Sequence, residues 1–559
     1  MKVKLLDLQN TAEWEKTGVR LPRYDIAEMR KKTQDEPIWV HFGAGNIFRA
    51  FIAALQQRLL DAGEADRGII AADTFDVDNI RMIYGGYDNL TMSVTLNADA
   101  TIDKEIIASV SEALVAKPDE TADYARLKEV FAAPSLQIVS FTITEKGYAL
   151  RKIDGDLLEV VAEDFAKGPE NPRHAMTIVT ALLYHRFTQG KAPLAVVSMD
   201  NCSHNGEKLK GSILEVAEAW EKNGFVPSTF TEWLRDETQV SFPWSMIDKI
   251  TPRPAPAVQK MLEEAGIEDM APLKTPRGTF VAPFVNAEKA QYLVIEDRFP
   301  NGRPPLEKAG VYFTDRDTVN KTERMKVTTC LNPLHTGLAV YGCLLGYTLI
   351  CEEMKDEDLV RLIKRLGYTE GLPVVTDPGI LKPRAFIDEV MEQRLPNPFM
   401  PDAPQRIATD TSQKVGIRFG ETIKSYVAGN RPMDQLIALP LVIAGWLRYL
   451  LAVDDKGNEM PLSDDPLLPE LCKQLEGIEL GKPETVGEKL QPILSNSLIF
   501  GSDLTKTPLA ERIREYFLEE IAGPGAVRKT LRKHLECSNR NGGRVHGSAE
   551  LRSAEQIGI

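Results

Sequence analysis

Along roughly the first 300 residues, short apolar runs alternate with charged amphipathic stretches. The runs at 38–42 (IWVHF), 69–75 (IIAADTF), 136–144 (LQIVSFTIT) and 193–200 (PLAVVSMD) are rich in β-branched residues and read as buried strands. The segments between them place apolar residues at helical spacing. Repetition of strand, helix and strand predicts an α/β domain whose parallel sheet is covered on both faces by helices. Residues 1–36 read as a polar lead-in, and the turn-rich FPNGRPP at 299–305 interrupts the pattern. Beyond Thr318 the β-rich runs nearly vanish. Long helical periods at 335–350 and 433–453 predict a second, mostly α-helical domain. From Gly523 onward seven Lys/Arg stand against three acids, and 537–549 is rich in Gly, Ser and Asn, the composition of a mobile basic tail. The expected divisions are 1–310, 311–522 and 523–559.

A chain of 559 residues, 43% hydrophobic and 26% charged, can bury a full core in each of two large domains. Its formal charge of −14 argues against a nucleic-acid partner and favours a small molecule. Six scattered cysteines with no C-x-x-C pair fit free thiols in a reducing compartment. The first residues turn acidic too early for a secretory leader, and no apolar stretch reaches membrane-spanning length, so a cytoplasmic protein without membrane contact is expected, monomeric or a small homo-oligomer. No paired His/Cys cluster suggests a metal.

The first strand runs into Gly43-Ala44-Gly45-Asn46-Ile47-Phe48-Arg49 and then a helical stretch. A glycine at a strand's end permits a tight turn, and the next lets backbone amides approach a pyrophosphate at the helix's positive end. Phe48 stands where a third glycine is usual. The next strand ends at Asp73, with Asp76 behind it. An acid there can accept the ribose hydroxyls and would repel a 2′-phosphate, which points to NAD over NADP. Helix capping is the competing role for either acid.

The segment MKVTTCLNPLH (325–335) places Lys326, Asn332 and His335 close together just past the change of texture. Oxidation of a secondary alcohol needs a base for the hydroxyl proton and donors for the oxygen as it gains carbonyl character. These three can supply those parts. The strand ending in Asp200-Asn201 sets both side chains at a carboxyl end, where ligands of open α/β sheets sit, and Asp248 follows a further apolar run. His41 reads as a core residue, His204 as a cap or a residue near the site, and His174 and His185 as packing or surface.

These segments, taken in order, resemble the polyol-specific long-chain dehydrogenases, the mannitol dehydrogenase family. The resemblance rests on GxG with Arg49, TITEKGY (142–148), Asp-Asn-x-x-x-Asn-Gly (200–206), SMIDKITP (245–252), Lys with Asn-x-x-His (326–335), and Arg406 followed by Asp410-Thr411-Ser412 and Lys414. It implies a zinc-independent, NAD(P)-linked enzyme with a Rossmann-type doubly wound N-terminal domain, a helical C-terminal domain and the substrate between them. Lys326 would be the general acid/base, with Asn332 and His335 on the reacting oxygen. Asn201, Asp248, Arg406 and Lys414 would meet the substrate, and Gly43, Gly45, Arg49 and Asp73 the cofactor.

Lys249 replaces the family's more usual arginine, and Thr411 the expected glycine. The family commonly has four residues between lysine and asparagine, whereas 327–331 are five. On a regular helix at about 100° per residue the extra residue would point Lys326 and His335 apart. The resemblance therefore requires non-ideal backbone here, through a start or kink at Asn332-Pro333 or a π-bulge. A lysine in water titrates near about 10.4, so its surroundings must depress it for exchange at neutral pH.

The wording of 332–335 looks closest to members that interconvert a ketohexuronate and a sugar acid, such as fructuronate and mannonate. A buried substrate carboxylate needs a cation, for which Arg406, Lys414 and Arg253 are candidates. Fructose with mannitol, tagaturonate, a sugar phosphate, and a non-catalytic dinucleotide sensor are the alternatives.

Overall fold

Six strands form one wholly parallel sheet: β1 (Trp39–Phe42), β2 (Ile69–Asp73), β3 (Val110–Val115), β4 (Ile138–Phe141), β5 (Leu194–Ser198) and β6 (Val240–Ser241), in the order β3-β2-β1-β4-β5-β6. That is the doubly wound Rossmann order, which reverses direction between β1 and β4 and opens a crevice at the carboxyl ends there. The computed structural model describes residues 1–541 apart from Asp76, Ile153 and Arg277, with side chains as far as Glu536. Asp76 and the end of the basic tail, Arg544 and Arg552 included, therefore lie outside the described residues, as does the side chain of Arg540.

Alternation along each strand divides the core in two. Val40, Phe42, Ile70, Ala72 and Val139 pack under Leu127, Phe131, Leu182 and Leu209, whereas Trp39, Ile69, Ala71 and Ile138 pack under Phe48, Phe51, Ile52 and Leu55. Burial on both faces is why these strands read as nearly continuous apolar runs.

The chain forms two compact units, Met1–Met325 with Thr376–Pro401, and Lys326–Val375 with Asp402–Ile559. This differs from a single division near residue 310. The lead-in belongs to the first unit: Trp14 and Met29 are buried, and Val19–Arg20 pairs with Ile102–Ile107 in a second, four-stranded sheet. Residues 376–401 rejoin that unit through Met400 and Phe399 in the core of the four-stranded sheet, through Phe386 on Tyr292, and through polar contacts. Arg394 is bidentate to Glu288 at 2.8 and 2.9 Å and reaches Asp248 at 2.9 Å, while Asn397 donates to the Leu96 carbonyl.

The second unit is mostly helical. The helix Asn332–Leu345 packs on Ala438–Tyr449, which packs on Leu509–Glu520. The stretch expected to be a tail begins as the helix Ala526–Asn541. Val527 and Leu531 are buried, and the basic residues have acid partners: Arg528 with Asp356 and Asp358, Arg532 with Asp358, and Lys533 with Glu519. Charge excess alone suggested a solvated segment, and two of the paired acids, Asp356 and Asp358, lie far away in sequence. Among the described residues, no helix is long and apolar enough to cross a membrane.

Candidate active site

At the end of β1 the backbone of Gly43 takes φ +95°, and a Cβ there would collide with the Thr142 carbonyl at the end of β4. Only glycine fits. At Gly45 a Cβ would meet nothing within 4 Å, so space lies open above the turn. Ala44 between them is clamped: its N–H donates to Asp73 Oδ2 at 3.2 Å, and its carbonyl accepts from Asn79 Nδ2 at 2.8 Å and the Tyr84 hydroxyl at 2.9 Å. Asp73 Oδ1 also accepts from Phe75 N at 2.7 Å. A fixed turn with open space before a helix, and an acid at the neighbouring strand tip, fits a dinucleotide.

Beneath the turn runs a buried chain of hydrogen bonds. Trp39 Nε1 donates to Ser140 Oγ (2.7 Å), which leaves the Ser140 hydroxyl to donate to His41 Nδ1 (2.7 Å). His41 Nε2 then faces Thr142 Oγ1 (2.8 Å), whose hydroxyl donates to the Gly43 carbonyl (3.1 Å). Each donor finds one acceptor only if His41 is neutral and protonated at Nε2. Burial agrees, lowering its pKa to about 3.

Arg49 does not stand at the turn's open side. It is 1% exposed, bonds Thr91 Oγ1 at 3.1 Å, and burial lowers its pKa to about 10. The helix register after the glycines, which begins with a π-turn at Phe48–Ile52, carries it inward.

At the ends of β4 and β5, Asp200 accepts from Ile143 N and Thr144 N, both at 2.9 Å, and from the Tyr148 hydroxyl. The TITEKGY and Asp-Asn segments are thus one structure, and burial raises the Asp200 carboxyl. Asn201, beside it, is exposed. His204 makes no capping bond; its ring lies 4.4 Å from that of Trp244. Asp248 is 6% exposed and bound to Arg394, an engagement that a local motif cannot show. Arg253 is exposed.

In the second unit, the segment Lys326–Cys330 is a π-turn closed by Leu331 N on the Lys326 carbonyl at 3.1 Å. Leu331 then breaks helical geometry at φ −130°, and a new helix starts at Asn332-Pro333. Both devices that the spacing allowed are present. A π-turn takes an extra residue into each turn, so five intervening residues rotate about as far as four would. Asn332 does not cap this helix; Leu331 holds that position, which leaves the Asn332 carboxamide clear of a backbone role. Lys326 is 3% exposed.

His335 Nε2 lies 3.6 Å from Asp402 Oδ2, and Asp402 also pairs with Arg406, so one carboxylate joins two of the expected residues. Lys414 donates to the Thr409 carbonyl, and burial lowers its pKa. Two residues here escaped the sequence reading. Asp402 had a signal, standing four residues before Arg406 in helical register. Arg418, four after Lys414, donates from Nη1 to Thr336 Oγ1, next to His335.

Comparison with known proteins supplies the context. Residues 37–308 match the model of the mannitol dehydrogenase Rossmann domain, and 318–521 that of the mannitol dehydrogenase C-terminal domain. The chain is 52% identical over 536 residues to a D-mannonate oxidoreductase of Thermotoga maritima, covering 95% of this chain and 98% of that one. It is 29% identical to a mannitol 2-dehydrogenase of Emericella nidulans, over 89% of this chain and 93% of that one. Among solved structures, D-sorbitol dehydrogenase in substrate-free form matches with TM-score 0.75 and 25% identity, covering 91% and 97% of the two chains. The Pseudomonas fluorescens mannitol 2-dehydrogenase complex with NAD and D-mannitol matches with TM-score 0.66 and 26% identity, covering 96% and 100%.

Proposed function

Because the chain belongs to the mannitol dehydrogenase family, we propose that it is an NAD-dependent oxidoreductase interconverting D-mannonate and D-fructuronate. The observation that carries the substrate is the likeness, over nearly the whole of both chains, to a D-mannonate oxidoreductase. The lysine buried in a π-turn beside Asn332 and His335 supports the chemistry.

The Gly45 amide and the first amides of the helix that follows would hold the pyrophosphate, and Asp73 the adenosine ribose. When bound, NAD supplies the acceptor or donor of hydride. The residues of the chain manage the oxygen. In the reducing direction the Lys326 ammonium gives its proton to the alkoxide as the ketone carbon is reduced, and in the oxidising direction the amine takes that proton back. Asn332 and His335 donate hydrogen bonds to the oxygen as its charge grows, each worth about 3–4 kcal/mol when well placed. The Asp402 carboxylate faces His335 from within the same unit, with Oδ2 3.6 Å from Nε2.

The test is NADH oxidation with fructuronate, tagaturonate, fructose and fructose 6-phosphate. Fructuronate is expected to give the highest kcat/KM. A preference for fructose or tagaturonate would reassign the substrate, and silence on all four would overturn the enzymatic reading.

A further inference from the structure

Arg418 is a half-buried guanidinium whose charge has no acid partner among the described residues. It sits on the π-turn Gly416–Gly420, and a Cβ at Gly420 would collide with the Phe500 carbonyl, so the turn is pressed against the helix Ser497–Phe500 and its position is fixed. Its one hydrogen bond among the described residues runs from Nη1 to Thr336 Oγ1. The Thr336 hydroxyl in turn donates to the Asn332 carbonyl at 2.9 Å. Arg418 is therefore tied to the first turn of the helix that carries Asn332 and His335.

Other buried arginines show how unusual this is. Arg394 and Arg528 each meet two carboxylates. Arg186 spreads its donors over five backbone carbonyls, and Arg448 over three. Arg49 also lacks an acid but is sealed from solvent. Arg418 has one hydroxyl and remains partly open. Lys414 adds repulsion rather than relief, each cation lying within the other's field. Burial lowers the Arg418 pKa to about 10. Taking a cation out of water without a counter-charge is costly, and an arriving anion removes that cost.

We propose that Arg418 is the specificity-determining residue for acidic substrates, pairing its open guanidinium edge with the carboxylate of the hexuronate. This rests on the reading of the enzyme as a hexuronate oxidoreductase. A planar carboxylate matches the guanidinium fork, and a neutral ketose offers only hydroxyls. Arg406 is less suited: its side chain is 66% exposed and already paired with Asp402.

The experiment compares kcat/KM for fructuronate and fructose in the wild-type enzyme, Arg418→Gln and Arg418→Lys, with NADH affinity from fluorescence as the check on folding. In Arg418→Gln the fructuronate-to-fructose ratio should fall about 100-fold, chiefly through KM for fructuronate. Arg418→Lys, a point charge without the fork, should recover about a tenth of the wild-type ratio. An unchanged ratio in Arg418→Gln, or an equal loss on both ketones, would overturn the proposal. A fall in the ratio for fructose 6-phosphate over fructose with none for fructuronate would overturn it too, in favour of a phosphate ligand. A wild-type enzyme inert toward fructuronate would instead overturn the functional reading beneath it. Should Arg418→Gln fail to bind NADH, the ratio in Arg418→Lys decides alone.

Discussion

The side chains that matter here are those whose polar atoms are committed in one direction and leave the next group poised. His41 looked like a core histidine, and it is one, but its two nitrogens also link Ser140 to the Thr142 hydroxyl that holds the Gly43 carbonyl. His41→Phe should keep the stacking on Phe48 and take one hydrogen bond from each of two buried hydroxyls, Ser140 keeping Trp39 and Thr142 keeping the Gly43 carbonyl, at about 1 kcal/mol each. KM for NADH should rise more than kcat falls, and His41→Gln should recover part of the loss. Because burial holds the folded pKa near 3 and an unfolded histidine titrates near 6.5, the unfolded chain binds the extra proton between those values. Stability contributed by neutral His41 is present above about pH 6.5 and is lost as pH falls toward 3, a slope that His41→Gln should reduce in acid denaturation. A structure-like NADH affinity in His41→Phe would remove the residue from the turn's support. The tight turn at Gly43, the strand-end place of Asp73 and the irregular backbone between Lys326 and His335 were legible because each is set by local sequence. Asp402, Arg418 and Arg394 were not, since their partners are set by the fold.

At the scale of elements, the alternation of apolar runs gave four of the six strands of the parallel sheet and the helical second half, but not the edge strands Val110–Val115 and Val240–Ser241. It missed the hairpin Thr91–Leu96 with Ile102–Ile107, where Ile102, Asp103, Lys104 and Glu105 remain partly or wholly exposed and the apolar signal is diluted. It also missed the docked helix Ala526–Asn541, whose basic face is neutralised only in the folded state. The spacing from Lys326 to His335 was the more informative reading, because an apparent mismatch required an irregular backbone and the π-turn supplies it. Deleting Val327 should therefore convert the π-turn to an ordinary helical turn and retain turnover within about tenfold. Inserting an alanine after Val327 should turn Lys326 by about 100° and abolish it. Assays of fructuronate reduction on the two variants check this, and equal losses in both would show that the turn does not set the lysine's direction.

For the whole molecule, two compact units are assembled from interleaved segments. The first holds the Gly43 turn and Asp73, and the second holds Lys326, Asn332 and His335, to which the proposed function gives the proton and the oxygen. The family likeness covers both units, over residues 37–308 and 318–521. The central claim is that Lys326 carries the proton. The direct measurement is single-turnover fructuronate reduction by Lys326→Ala alongside its NADH affinity. The expected result is a loss of rate on the order of a thousandfold with NADH binding near that of the wild type. Reduction at a rate within about tenfold of the wild type would contradict the account.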